Sequence, residues 1–111
     1  MTTFVHDGGL LVIDLGDQRL DAARAPAFKQ ALVENISGQP KRVMIDASRV
    51  DFIDSTGLGA LVTLLKMMGE GGSIVVAGAK PPVRRLFEIT KLDSVFAMVA
   101  DREAASIVLN A

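Results

Sequence analysis

Two short runs dictate most of what this chain can become. Arg42-Val43-Met44-Ile45-Asp46 and Ser73-Ile74-Val75-Val76-Ala77-Gly78 are apolar at consecutive positions, not alternating ones. Strands of that kind are covered on both faces, as in a parallel sheet. Parallel neighbours need a crossover, and a helical pattern from Ser55 to Gly69 lies between the two runs. It is stopped by Gly69-Glu70-Gly71-Gly72. Upstream, Phe4-Val5-His6 and Leu10 to Leu15 flank Gly8-Gly9 and predict an N-terminal hairpin. Asp21 is placed to cap a first helix, with Phe28, Ala31, Leu32 and Ile36 on helical spacing until Gly38. Pro26 suits a first turn, so the regular helix is expected to begin near Arg24 or Ala25. Pro81-Pro82 opens a third helix carrying Val83, Leu86, Phe87 and Ile89. Val95 to Val99 reads as a last strand and Arg102 to Leu109 as a closing helix. The expected fold is α/β, a mainly parallel sheet of four to five strands with an N-terminal hairpin and about four helices.

With 111 residues, the chain is expected to form a single domain over 1–111. Cys 0 excludes disulfides, thiolate nucleophiles and cysteine metal sites. Twelve basic and 13 acidic side chains give a formal net charge of −1, which removes the electrostatic case for direct nucleic-acid binding or an anionic membrane surface. The longest apolar stretch, around Leu58 to Leu65, is too short to cross a bilayer, so no membrane insertion is expected. Met1-Thr2-Thr3-Phe4-Val5-His6-Asp7 has no basic segment leading into an apolar one, and a cytoplasmic location is expected.

Enzyme chemistry finds little to work with. A serine nucleophile needs a base, and the single histidine, His6, lies on the N-terminal hairpin. Gly-x-Ser-x-Gly and the Gly-x-x-x-x-Gly-Lys-Ser/Thr phosphate loop are both absent. Asp46, Asp51 and Asp54 lack a histidine or fourth carboxylate at ligand spacing. No catalytic residue, metal or cofactor is expected.

The most informative stretch is Asp51-Phe52-Ile53-Asp54-Ser55-Thr56-Gly57-Leu58-Gly59. A polar trio before a run of helix formers is commonly a cap for the orphan N–H groups of the first turn. Gly57 and Gly59, however, weaken a helix by about 1 kcal/mol each relative to alanine, and close approach of something to the backbone is one compensating reason. Leu58, Leu61, Val62, Leu65 and Met68 form a core stripe at i, i+3, i+4 and i+7. Leu64 and Met67 fall outside it, leaving a narrow polar strip of Thr63, Lys66 and Glu70. With helices expected in one layer, the two either add to the core or face a partner; facing outward, they extend a docking patch from Ser55 along the helix.

Asp46 at a strand end and Ala79-Lys80-Pro81 after the next strand suggest one rival, a receiver-like aspartate phospho-acceptor. The adjacent acids that such a domain needs after its first strand are missing, since this chain reads Asp14-Leu15-Gly16-Asp17.

A resemblance covers the chain from about Phe4 to Leu109. Phe52-Ile53-Asp54-Ser55-Thr56-Gly57-Leu58-Gly59 is similar to the Asp-Ser-Ser/Thr-Gly-Leu-Gly signature of the STAS domain family, specifically the bacterial anti-sigma factor antagonists (anti-anti-sigma factors). Pro82-Val83-Arg84-Arg85-Leu86-Phe87, with Pro81 before it, resembles the family's Pro-x-Val-x-Arg-Leu-Phe segment, and Leu20-Asp21 adds a third match. The resemblance implies a phospho-regulated binding module. Ser55 would be phosphorylated by a cognate anti-sigma factor with serine kinase activity and restored by a serine phosphatase. The unphosphorylated form would bind the kinase and release a sigma factor. Asp21, Asp54, Ser55, Thr56, Gly57 and Gly59 would form the partner surface, joined by Leu64 and Met67 if these face outward. Gly16-Asp17-Gln18-Arg19-Leu20-Asp21 departs from the family's Gly-Glu-Leu-Asp, which bears on which partner is recognised. The alternative within the family is a scaffold subunit of a stress-signalling or transporter complex, with Ser55 acting as a cap.

Overall fold

The computed structural model describes residues 2–16 and 19–110. Its element order is β1 (Thr3–Asp7), β2 (Leu10–Asp14), α1 (Ala25–Asn35), β3 (Arg42–Asp46), α2 (Ser55–Met68), β4 (Ser73–Ala77), α3 (Pro81–Ile89), β5 (Ala97–Val99) and α4 (Arg102–Asn110), with a short 3-10 turn at Leu92–Ser94. The strands lie in the order β1-β2-β3-β4-β5. β1 and β2 are antiparallel, and every later pair is parallel. The Gly8-Gly9 turn that joins the hairpin has φ of +56° and +87°, a conformation that favours glycine at both positions.

The apolar runs of β3 and β4 are buried on both sides because helices cover both faces of the sheet. Val43, Ile45, Ile74 and Val76 point into a large core with Phe28 and Leu32 of α1, Leu58, Leu61, Leu64 and Met68 of α2, and Val83 and Phe87 of α3. Met44, Val75 and Ala77 point the other way, onto Ala105 and Leu109 of α4. The single layer of helices expected from the sequence is thus corrected to two.

α1 begins at Ala25, as expected, but one cap and one strand boundary differ from expectation. Asp21 does not cap α1. Its carboxylate accepts from the Arg24 amide at 3.2 Å and closes a turn ahead of the helix, whose N-cap is Arg24. The last strand is three residues, not five, because Phe96 turns into the core, edge-on to Phe87 at 5.4 Å between ring centroids.

Candidate functional site

The loop between β3 and α2 is fastened to the segment that follows β2. Leu20 N–H donates to the Phe52 carbonyl at 2.9 Å, and Asp54 N–H donates to the Leu20 carbonyl at 3.2 Å. This lone bridge between Leu20 and Ile53 extends parallel pairing past the strand ends. Asp54 then uses both carboxylate oxygens on backbone amides. One accepts from Gly57 N–H at 2.8 Å as the N-cap of α2, and the other accepts from Ala22 N–H at 3.1 Å. One side chain therefore sets both the start of the helix and the position of the neighbouring loop.

Of the polar trio, only Asp54 caps. Ser55 and Thr56 are exposed, and neither hydroxyl has a hydrogen bond among the described residues. Ser55 is the first residue of a helix of 14 residues, where the amide groups of the first turn favour negative charge.

The two glycines have separate explanations. A Cβ at Gly57 would lie 1.9 Å from the Leu20 carbonyl oxygen, so Gly57 serves an internal close approach and is buried. At Gly59, a Cβ would meet nothing within 4 Å, and the residue is exposed beside Ser55 and Thr56.

The outward-facing expectation fails for Leu64, which is fully buried in the main core. The core stripe of α2 is Leu58, Leu61, Leu64 and Met68, with Leu65 only half-buried, a rotation of about one residue from the expected face. Met67 is half-buried and packs against the same core. The apolar docking patch therefore does not run along α2 through Leu64.

Sequence reasoning missed what flanks the site on its other side. Phe52 is 41% exposed, and the Arg19 guanidinium stacks over its ring at 4.4 Å. Arg19 also pairs with Asp21 at 3.3 Å. Desolvation pushes the Asp21 carboxyl up, but the bond and charge of Arg19 and the amides of Arg24 and Ala23 more than offset it, leaving the group below its ordinary value. Phe52 and Ile53 line a groove of about 290 Å³ with Pro82, Arg85, Leu86 and Ile89 of α3. An aromatic residue in a short segment bounded by Asp51 and Asp54 was the signal available in the sequence.

The strand-end acids are otherwise engaged. Arg102 donates to Asp46 at 2.6 Å and to Asp14 at 2.9 Å, and Ser48 N–H donates to Asp46 at 2.9 Å. Desolvation raises the Asp46 carboxyl, and these bonds to Ser48 and Arg102 reverse that to a net lowering. The Asp46 bond in turn pushes the Arg102 guanidinium up. Lys80 pairs with Asp51, not with Asp46. The pairing that a receiver-like acceptor would need is not formed. No group of acids or histidines suited to a metal occurs among the described residues.

The described residues form a five-stranded α/β domain that exposes Ser55 and Thr56 at the start of α2. The sequence profile of the STAS domain matches residues 2–105, and the chain belongs to that family. It is 36% identical over 77 residues to the anti-sigma-B factor antagonist of Listeria monocytogenes, covering 68% of each chain. To the anti-sigma-B factor antagonist of Bacillus subtilis it is 33% identical over 85 residues, covering 76% of this chain and 77% of that one. The crystal structure of an anti-sigma factor antagonist from Mycobacterium paratuberculosis superposes with a TM-score of 0.87 at 27% identity, covering 100% of this chain and 94% of that one. No helix among the described residues is long and apolar enough to cross a membrane.

Proposed function

We propose that this protein is an anti-sigma factor antagonist whose unphosphorylated form binds an anti-sigma factor with serine kinase activity and so frees a sigma factor. Ser55 is the switch. The observation that carries this reading is the division of labour in the polar trio: Asp54 does the capping, so the exposed Ser55 hydroxyl at the helix start is spare. The names of the relatives support the same class of partner.

The kinase would transfer the γ-phosphoryl group of ATP to Ser55 Oγ, with loss of the hydroxyl proton and release of ADP. A serine phosphatase would hydrolyse the phosphoserine ester with one water, returning the hydroxyl and releasing inorganic phosphate. The modification adds about −1.5 to −2 charges beside Asp54 and near Asp21. The helix N-terminus tolerates that charge, so the fold survives while docking is opposed. Partner contacts would come from Asp21, Asp54, Ser55, Thr56 and Gly59, with the exposed part of Met67 at the margin.

Incubation with the anti-sigma factor kinase and ATP, followed by intact mass and site mapping, tests the assignment. Wild type gains one phosphate on Ser55 and Ser55→Ala gains none. Full phosphorylation of Ser55→Ala would refute it, and modification at Asp46 would revive the receiver-like alternative.

A further inference from the structure

An apolar groove lies between the Asp51–Ile53 loop, just ahead of Ser55 in the chain, and α3. Pro82, Arg85, Leu86 and Ile89 recur at helical spacing on one side of α3 and face the Asp51–Ile53 loop. Phe52 is 41% exposed and Ile89 67%, so the groove has two large apolar lips. Its volume, about 290 Å³, is at the small end of the roughly 300–1,000 Å³ usual for small-molecule sites and is large enough for a protruding side chain.

One charge on its lining stands unpaired: Arg85 has no ion pair among the described residues. Arg19, which lies on the Phe52 ring, is paired with Asp21. Asp51, the one acid lining the groove, is neutralised by Lys80. Phe52 lies three residues before Ser55, the first residue of α2, and both are exposed, so a single partner can reach both.

We infer that the Phe52–α3 groove is a second docking point for the anti-sigma factor that contacts Ser55, and that it receives a segment of that partner carrying a large apolar side chain beside a carboxylate. This inference rests on the function proposed above. The apolar side chain fills the groove, and the carboxylate pairs with Arg85. Because the pairing with Arg85 lies at an exposed rim, binding weakens as salt is raised.

The test is calorimetric titration of the anti-sigma factor into wild type, Ser55→Asp, Arg85→Glu and Ile89→Asp, with thermal melts on each preparation. Arg85 and Ile89 are exposed, so both variants should melt close to wild type. Arg85→Glu and Ile89→Asp should each weaken binding about tenfold, the scale of an anchoring contact, and Arg85→Glu should also flatten the salt dependence. Wild-type affinity in both, with Ser55→Asp impaired, would overturn the groove and leave the switch standing. Failure of wild type to bind, or unimpaired Ser55→Asp, would overturn the underlying function. A wild-type dimer that Arg85→Glu converts to monomers would assign the groove to a second copy and refute the inference.

Discussion

Gly57 and Gly59 stand two positions apart in the first turns of α2, yet an added Cβ would meet the Leu20 carbonyl oxygen at 1.9 Å at the first and nothing within 4 Å at the second. The first glycine answers to the fold: Leu20 can approach the helix only where no side chain stands. The second answers to nothing inside the molecule. The same division runs along α2, where Leu58, Leu61 and Leu64 fill the core while Ser55, Thr56 and Gly59 stay exposed. Identical residue types thus carry opposite obligations on the two sides of one helix, and the side free of internal obligation is the one available to a partner.

The largest test of this contrast is Leu64→Ala. As a fully buried truncation it should cost about 2–5 kcal/mol in urea unfolding. A loss under about 1 kcal/mol would mean that Leu64 is not a core residue and that the division is misdrawn. Next comes Gly57→Ala, where backbone meets the new methyl group and overpacking should cost about 1–3 kcal/mol. Gly59→Ala should do the opposite, gaining about 0.5–1 kcal/mol from reduced backbone freedom in the unfolded chain. If the two alanine variants unfold at the same urea concentration, the comparison collapses. The smallest expected effect on stability is that of Ser55→Asp. The helix dipole favours the added charge by about 0.3–1 kcal/mol, so the melting temperature should hold or rise slightly while partner affinity falls. A fall in melting temperature with affinity unchanged would place Ser55 among the structural caps.

The elements of the fold could be read from the chain because each local pattern had one solution. Two consecutive apolar runs separated by a helix leave little except a parallel crossover. α2 had no such uniqueness. It is apolar nearly all round, so its periodicity defines a helix without defining which side is inward, and the expected face fell about one residue from the observed one. The second helical layer was hidden for a related reason, since α4 meets the sheet through only Ala105 and Leu109 as buried residues. Within the site, Ser55, Asp54 and Asp21 were visible as residue types. The bond from Ala22 N–H to Asp54 was not, because 32 positions separate the two and a backbone amide leaves no trace in residue identity. The Phe52–α3 groove joins segments equally remote in sequence.

The order of the strands across the sheet is also their order along the chain. No later strand is inserted between two earlier ones, so the sheet grows at one edge as each strand arrives. Synthesis from the N-terminus can therefore assemble β1 to β4 progressively, without reopening any pair already made. The last helix completes the circuit: Arg102 reaches back 88 positions to Asp14 and 56 to Asp46, on two of the earliest strands. A chain released before α4 would have its whole Ser55 surface built and the opposite face of its sheet bare, with Met44, Val75 and Ala77 open to water.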